Sequence, residues 1–389
     1  MIRVFDAQLA GHGHEQFNRA MALALRSGFG EDLVLSLNET QAAEWAKRPV
    51  AGIRVEGLAV KQSPGLGKLF GAIAECFAIR RILRKTEGEG SRFVFALSIG
   101  PVALWLFRRL PSARGSSLPF VVTLHGELQE LASPKRGIAS RAAWVRAALA
   151  GRSRNFQAIV LGRSIVAELE KEGIDVADFV AVPHPYSCPP VDLGRKAGRP
   201  LEIVAPGGTS LLKGSQEIFR LAGLVRDSLG DGAAHFALHG SWDPALSAFD
   251  NGLVEHSAFG RQLSPDLYDE GLRRADFFLF LYPPGSYRLM ASGALLDAVR
   301  IGRPVLALRT PYFEEVFGMS GEIGRLFDSI EGIADFVAEF SQSLDGESYA
   351  FWLANLGSLR GKIDEVAVGS ELARVVGNRG RRGEFASVH

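Results

Sequence analysis

The sequence alternates between short apolar runs and helical patterns, and this alternation is interrupted once, by a proline-rich segment between Tyr186 and Pro200. Such alternation is typical of βαβ units, in which helices connect the parallel strands of a sheet. At 389 residues the chain is too long for one ordinary hydrophobic core. The sequence therefore predicts two doubly wound α/β domains, 1–186 and 200–378, with a linker over 187–199 and a disordered tail over 379–389.

The apolar runs and the amphipathic stretches give the expected positions of strands and helices. Strands are predicted at Ile2–Phe5, Val94–Leu97, Phe120–Leu124, Ala158–Leu161, Leu201–Ala205, Phe236–His239, Val254–Phe259, Phe277–Leu281 and Val305–Leu308. Helices are predicted at Leu69–Leu83, Ile138–Ala150, Ser164–Glu172, Lys213–Leu229, Pro265–Ala275, Ser292–Ile301, Ile330–Leu344 and Tyr349–Val376. Ligands of open α/β sheets bind beyond the carboxyl ends of the strands, so the loops that follow the strands should carry the site.

The first candidate is a glycine-rich turn between a predicted strand and a helix, with Gly207, Gly208, Thr209 and Lys213. Glycines let the backbone approach a phosphate closely, and a lysine beside helix-terminal amides favours an anion. The Gly-Lys-Ser/Thr ending of a nucleotide-triphosphate loop is missing here. A plain turn with a solvated lysine remains an equally open interpretation.

The second candidate begins at Ser292, a residue type suited to cap a helix, followed by Gly293 and Asp297. The first amides of the helix would face an anion. Asp297 lies roughly 7–8 Å further along the helix, because each residue rises about 1.5 Å. This spacing suits a diphosphate at the helix start and a ribose hydroxyl at the carboxylate. The alternative is a capped core helix with one buried, paired aspartate.

The first half offers His125, which directly follows the predicted strand Phe120–Leu124. A histidine at a strand end can bond a sugar hydroxyl or transfer a proton, with Glu127 as the alternative acid or base. A structural histidine that bonds the backbone remains open. The loop containing Gly11, Gly13 and His14 lacks the third glycine of the dinucleotide fingerprint, which disfavours an NAD-type oxidoreductase. This loop has no cluster of further Cys, Asp or His residues to complete a metal site, so no metal site is expected.

These segments together resemble the nucleotide-sugar domain of GT-B glycosyltransferases, in the group-4-like set (glycosyl transferases group 1). The similarity spans about Leu201 to Asp328, and its most specific segment runs from Asp297 through Gly302 to Pro304 and Val305, which is similar to the family's Glu-Ala-x-x-x-Gly-x-Pro-Val. A weaker similarity covers the first half. The sequence departs from the family at Leu289, where the first glutamate of a pair would fall, and at Gly208, where an arginine is usual.

The resemblance implies two Rossmann-like domains that face each other across a cleft. It implies transfer of a sugar from a nucleotide-diphosphate donor to a glycan or lipid-linked acceptor in bacterial polysaccharide biosynthesis, with no metal or organic cofactor. Carried over by position, His125 would act on the sugar, Lys213 would bind the donor phosphates, and Asp297 would hold the ribose. The resemblance implies three further sets of contacts. The diphosphate would be contacted by Gly207, Gly208, Thr209, Ser292 and Gly293. The base would be contacted by Gly260 and Arg261, and the donor or the acceptor by Gly11, Gly13 and His14.

The net charge of +1 combines +7 over residues 1–190 with −6 over residues 191–389, and it does not favour nucleic acid as a partner. Basic residues around Trp144 and at Arg80, Arg81, Arg84 and Lys85 predict a peripheral contact with an anionic membrane, although a solvated basic face is equally compatible.

The sequence indicates the cellular location through three features. It has only two cysteines, no signal-peptide pattern and no uninterrupted apolar run of the roughly 20 residues that span a bilayer. We therefore expect a cytoplasmic protein that can contact the inner face of the plasma membrane. One alternative function stays open, a catalytically weakened GT-B relative that acts as a sugar-nucleotide-binding or partner protein.

Overall fold

The computed structural model of the protein describes residues 1–6, 14–58, 67–110, 116–132, 140–151, 155–194, 197–230, 232–256 and 263–384, and the side chains of residues 67–70, 265 and 378–384 lie outside that description. The chain divides into two compact units. The first comprises Met1–Ser187, Leu289–Ala291 and Lys362–His389, and the second comprises Cys188–Arg288 and Ser292–Gly361. Within the described ranges, no helix is long and apolar enough to cross a membrane.

Among the described residues of the first unit, seven strands form a parallel sheet in the order β3-β2-β1-β4-β5-β6-β7. The strands are β1 Ile2–Asp6, β2 Leu33–Asn38, β3 Ile53–Leu58, β4 Val94–Ser98, β5 Phe120–Leu124, β6 Phe156–Val160 and β7 Phe179–Ala181. The inner strands are buried along their whole length because helices cover both faces of a parallel sheet.

The helices of the first unit lie on the two faces of this sheet. They are α1 Glu15–Phe29, α2 Glu39–Lys47, α3 Gly67–Gly88, α4 Pro101–Arg109, α5 Gln129–Ala132, α6 Arg141–Leu149 and α7 Arg163–Lys171. Successive strand residues point to opposite faces. Val94 and Ala96 therefore pack with α3, α4, α6 and α7, whereas Phe95 and Leu97 pack in a separate cluster with α1 and α2.

The second unit has the same strand order on a smaller scale. In the part of it that the structure describes, six parallel strands run in the order β10-β9-β8-β11-β12-β13. They are β8 Leu201–Pro206, β9 Ala234–His239, β10 Val254–His256, β11 Phe277–Phe280, β12 Val305–Leu308 and β13 Gly324–Phe327. The helices are α8 Glu217–Leu229, α9 Pro265–Arg274, α10 Gly293–Ile301, α11 Pro311–Ser320, α12 Ile330–Ser343 and α13 Gly346–Ile363.

The end of the chain returns to the first unit, whereas the sequence had assigned everything from residue 200 to 378 to the second domain. The last helix, α14 Glu365–Glu384, packs on α1 through Val368 and Leu372, which share a buried cluster with Phe17 and Met21. A Cβ on Gly28 would lie 1.9 Å from the carbonyl oxygen of Gly369, so the two helix backbones touch at this point. This close approach places α14 in the first unit.

The structure also differs from the predicted boundaries of several elements. The single helix expected over Tyr349–Val376 is two helices, because the Asp364 side chain caps the second one by accepting from the Ala367 amide at 2.7 Å. Helix α14 continues to Glu384 where a disordered tail was expected from residue 379. The strand expected over Val254–Phe259 is described only to His256. Strands β2, β3, β7 and β13 and helices α2, α5 and α11 were not predicted.

The contact of α1 with α14 gives a test of the fold. Gly369→Ala should lower the free energy of unfolding of the first unit by about 1–3 kcal/mol, because the new methyl group meets the Ala24 carbonyl oxygen at 2.3 Å. Hydrogen exchange of the α1 and β1 amides would measure it. Gly377→Ala, on the same helix with open space around it, is the control and should be neutral or slightly stabilising. An equal loss in both variants would contradict the packing.

Candidate functional site

In the second unit, the turn after β8 and the beginning of α10 lie side by side. The Gly207 amide donates to the His239 carbonyl oxygen at 2.9 Å, and its φ of +87° favours glycine. A Cβ built on Gly207 would lie 3.6 Å from the Cβ of Ala294 and 3.9 Å from the Tyr268 hydroxyl oxygen. The glycine-rich turn, the helix start and a tyrosine hydroxyl therefore converge at the carboxyl end of the second sheet.

Lys213 lies over the same turn. Its ammonium group donates to the Gly208 carbonyl oxygen at 2.7 Å, and burial lowers its pKa. A Cβ on Gly208 would come within 2.9 Å of the Ser241 hydroxyl oxygen and 3.9 Å of the Lys213 nitrogen. Position 208 is therefore crowded by Ser241 and Lys213, and the positive charge beside the turn comes from Lys213.

Thr209 holds the turn in place. Its amide and its hydroxyl both donate to the Ser241 carbonyl oxygen at 2.9 Å, and its hydroxyl oxygen accepts from the Asp243 amide. A small cavity beside these residues is lined by Gly208, Thr209, Lys213 and the end of β11 up to Tyr282. Among these lining residues Lys213 carries the positive charge that favours an anion, whereas the Thr209 amide and hydroxyl are already bonded to Ser241.

The start of α10 has the expected cap. The Ser292 hydroxyl oxygen accepts from the Leu295 amide at 3.2 Å and lies 3.2 Å from the Tyr282 hydroxyl oxygen. Gly293, the first residue of the helix, is exposed, and no atom of the described residues lies within 4 Å of the position where a Cβ would stand. The positive end of the helix dipole therefore faces open space.

Asp297 is buried and fully engaged in a network of charged and polar groups. Its Oδ2 accepts from the Tyr268 hydroxyl at 3.1 Å, and its Oδ1 accepts from the Arg300 guanidinium at 3.3–3.4 Å. Arg300 also binds both carboxylate oxygens of Asp269, at 2.8 and 2.5 Å. The aspartate is held in one orientation and its charge is balanced, which agrees with the alternative of a capped core helix with a buried, paired aspartate.

Tyr268 is the member of this network that the sequence did not reveal. Burial and the adjacent Asp297 carboxylate raise the pKa of its hydroxyl, which remains a donor, and its ring stacks on His239 at 5.5 Å. Arg300 follows Asp297 by three residues on one helix, a spacing at which side chains meet. The sequence could therefore have revealed the pairing of Arg300 with Asp297. Tyr268 lies on a different helix, and pairing across helices needs the fold.

Leu289, at the place of the family's first glutamate, belongs to the first unit. It is fully buried in the cluster that contains Leu128 and Leu131, and its amide donates to the side-chain oxygen of Gln129 at 3.1 Å. The surroundings are apolar, so a carboxylate at this position would lose its hydration without gaining a partner. The departure from the family pattern is therefore accommodated by packing.

His125 lies at the carboxyl end of β5 in the first unit. Its Nε2 lies 2.9 Å from the Leu97 carbonyl oxygen, which can only accept, so this nitrogen carries the proton and Nδ1 keeps its lone pair. The His125 amide donates to Glu127 Oε1 at 3.0 Å. Burial lowers the pKa of His125 well below its usual value, with smaller contributions from His14 and His184. The ring is therefore neutral and can accept a hydrogen bond from a hydroxyl group.

Two further histidines surround His125. The ring centroid of His14 lies 4.9 Å from that of His125, and Phe17 meets both His125 and His184 edge-on at 4.4 and 5.2 Å. The Nδ1 of His184 lies 2.9 Å from the Pro185 carbonyl oxygen, and burial lowers the pKa of His184 to about 4. His184 therefore packs in the same cluster as His125.

Four candidate residues, Gly11, Gly13, Gly260 and Arg261, lie outside the described residues. Among the residues that are described, no group of three His, Cys, Asp or Glu side chains could hold a metal ion.

Several solved structures share the fold of this chain. Sucrose-phosphate synthase from Thermosynechococcus elongatus is 13% identical with a TM-score of 0.64, and the match covers 100% of both chains. HepE of Anabaena, solved in complex with UDP and glucose, is 12% identical with a TM-score of 0.63, over 97% of this chain and 100% of HepE. WaaG, a glycosyltransferase involved in lipopolysaccharide biosynthesis, is 15% identical with a TM-score of 0.58, over 96% and 99%.

No protein-family model and no curated protein sequence matches the chain. At 12–15% identity the structural likeness establishes the fold alone. Together with the two parallel sheets of equivalent strand order, it shows that the chain has the two-domain α/β GT-B fold.

The histidine cluster predicts a loss of stability in mild acid. His184 titrates near pH 4 when folded and near 6.5 when unfolded, so its contribution is complete above pH 6.5 and falls as protons bind the unfolded chain. Between pH 7 and pH 5 the first unit should lose about 2 kcal/mol through His184 alone. Hydrogen exchange of the β5 and β6 amides would measure this loss.

His184→Gln should remove the His184 share of that pH dependence, although it lowers stability at pH 7. The share of His14 and His125, whose pKa values are also lowered by burial, should remain. His235→Gln, in the second unit, should leave the pH dependence of the β5 and β6 amides unchanged. A wild-type profile that is flat from pH 7 to pH 5 would contradict the assignment.

Proposed function

We propose that this protein is a glycosyltransferase that moves a sugar from a nucleotide-diphosphate sugar to a glycan or a lipid-linked acceptor in bacterial polysaccharide biosynthesis. The observation that carries the proposal is the convergence of the glycine-rich turn, Lys213 and the start of α10 at the carboxyl end of the second sheet. The similarity to HepE, which was solved with UDP and glucose, supports a nucleotide-sugar donor.

In the proposed donor complex, the diphosphate lies between the turn and α10. The amides of Gly293 and Gly208, together with the Lys213 ammonium, would bind its oxygens, and the bound charge would offset the lowering of the Lys213 pKa by burial. Asp297 would accept from a ribose hydroxyl in the orientation that Tyr268 and Arg300 impose. Gly260 and Arg261 would lie beside the base.

The proposed reaction breaks the bond between the anomeric carbon and the diphosphate oxygen and forms a bond from that carbon to the acceptor oxygen. The electron pair of the broken bond passes to the diphosphate, where Lys213 and the helix amides stabilise the new charge. The acceptor hydroxyl gives up its proton to a base as the new bond forms. His125, which is neutral and keeps a lone pair on Nδ1, would accept a hydrogen bond from a sugar hydroxyl.

The proposal needs no metal ion or organic cofactor, since Lys213 and the amides supply the positive charge. We place the reaction in the cytoplasm, with a lipid-linked acceptor reached at the inner face of the plasma membrane. Gly11, Gly13 and His14 would border the donor or the acceptor from the first strand-to-helix loop.

Removal of the ammonium group should slow transfer. Lys213→Ala should lower kcat/KM for the preferred donor by about 10²–10³, because a charge that stabilises the leaving diphosphate is lost. Release of nucleoside diphosphate from UDP-, GDP- and ADP-sugars measures turnover, and thermal shift measures donor binding. Asp297→Asn should raise KM more than it lowers kcat, because the ribose contact is present before and during the reaction.

Exposed counterparts serve as controls for these variants. Lys171→Ala and Asp328→Asn remove side chains that are 67% and 82% exposed, and both should leave transfer unchanged. Thermal shifts that are flat with every nucleotide sugar would overturn the proposal.

A second candidate function is a nucleotide-sugar-binding protein with weakened catalysis, and Leu289 is the observation that favours it. The family's carboxylate position is here filled by a side chain buried in an apolar cluster. Donor binding without turnover, in the presence of a range of acceptors, would support this function over the first.

Position 289 can be tested directly. Leu289→Glu should destabilise the first unit by about 3 kcal/mol or more, because an unpaired carboxylate would enter an apolar cluster. The variant should not gain turnover. Leu289→Met, which conserves volume, is the control and should cost less than about 1.5 kcal/mol. Increased transfer by a stable Leu289→Glu protein would show that the position is open to the donor.

A further inference from the structure

Helix α3 presents two large apolar side chains on its outer side. Phe77 is 69% exposed and Ile73 is 43% exposed. They are four residues apart and therefore share one side of the helix, whereas Ile79, Ile82 and Leu83 are buried against the sheet on the other side. The helix thus has a complete core-facing side and a second apolar side without a partner among the described residues.

The same outer side continues into arginines. Arg81 and Arg84 follow Phe77 by one and two turns, and both are exposed. The carboxylates of this helix are engaged elsewhere, since Glu75 accepts from the Gly100 amide and Glu87 accepts from Ser117. Along its outer side, α3 therefore changes from apolar to positively charged within about three turns.

The neighbouring helices extend this surface. Helices α4 and α6 lie on the same face of the sheet as α3, and Trp105 of α4 meets Trp144 of α6 edge-on at 5.8 Å. Trp144 is 37% exposed. Arg109, which follows Trp105 by four residues, and Arg141, which precedes Trp144 by three, are also exposed. By contrast, Val145 and Leu149, which the sequence grouped with Trp144, are core residues.

The charged residues of these helices are mostly basic. Helices α3, α4 and α6 carry nine basic and two acidic residues, and the sequences of α4 and α6 contain no Asp or Glu. Helices α1 and α2, on the opposite face of the same sheet, carry three basic and three acidic residues. Among these five helices, the excess of positive charge therefore belongs to the face that also exposes Phe77, Ile73 and Trp144.

We propose that this face, defined by Ile73, Phe77, Arg81, Arg84 and Trp144, docks on an anionic lipid bilayer. Phe77 and Ile73 enter the boundary of headgroups and acyl chains, Trp144 lies at headgroup level, and the arginines bind lipid phosphates. A bilayer fits better than an acidic protein, because protruding apolar side chains need an apolar phase to enter. The proposal does not depend on donor binding, since none of these residues belongs to the glycine-rich turn or to α10.

The test is sedimentation of the full-length protein with vesicles in the absence of donor and acceptor. Wild type should bind mixed phosphatidylglycerol and phosphatidylcholine vesicles and should bind phosphatidylcholine vesicles weakly. Arg81→Gln with Arg84→Gln should reduce the partition coefficient about 25-fold at low salt, about fivefold for each arginine. Phe77→Ser should reduce it about tenfold, with little dependence on salt.

Matched controls lie on the opposite face of the sheet. Lys47→Gln with Arg48→Gln removes two exposed cations from α2 and the residue after it, and Val366→Ser removes a side chain of α14 that is 64% exposed. Neither should change vesicle binding. The proposal is overturned by equal binding to both kinds of vesicle, by an equal loss in the controls, or by no binding of the wild-type protein. Thermal shift of the same variants with nucleotide sugars measures donor binding. A failure of membrane docking can therefore be distinguished from a failure of the proposed function.

Discussion

Parallel pairing of the strands is the constraint on which the rest of the structure depends. Every strand pair in the described residues is parallel, so all strands of a sheet end at the same edge, and helices cover both faces. The strand interiors are therefore mostly apolar, with Arg3 and Gln157 among the buried exceptions, and further polar groups follow where the strands end. In the first unit, this edge carries Asp6, Ser98 and His125, and in the second it carries the turn at Gly207.

The second unit combines a small backbone turn with a rigid charged network. Gly207 and Gly240 allow the close contact behind the turn, since a Cβ on Gly240 would lie 2.0 Å from the Gly207 carbonyl oxygen. Asp297 is fixed by Tyr268 and Arg300, which keeps a buried carboxylate from being an unpaired charge. The second half of the sequence has an overall charge of −6, but Lys213 and the start of α10 place positive charge locally beside the turn.

Features that depend on a local pattern could be predicted from the sequence. Strand β4 begins with the continuous apolar run Val94–Leu97, and β1 and β5 are apolar except at Arg3, Asp6 and Thr123. Ser292 caps its helix through an amide three residues away. Features that depend on distant contacts could not be predicted. The assignment of α14 to the first unit depends on the contact of Gly28 with Gly369, and strands such as β7 and β13 are only three or four residues long.

The same distinction holds for the site residues. The pattern identified Asp297, but its partner Tyr268 is 29 residues away on another helix. It identified His125 through its place after β5, but the packing of His14 and His184 around it required the fold. Leu289 was visible as a departure from the family, and the burial of its side chain in the first unit explains why a leucine is stable there.

The two faces of the first sheet differ in the helices that cover them, and this difference follows from the crossover geometry. One face packs α1 and α14, which meet at Gly28 and Gly369, and its contacts are internal. The other face packs α3, α4 and α6, whose outer sides are basic and partly apolar. Because His125 lies at the strand ends between the two faces, a bilayer on the outer side of α3 would cover neither the histidine cluster nor the helix contact. Membrane docking and chemistry at the strand ends are therefore compatible within one domain.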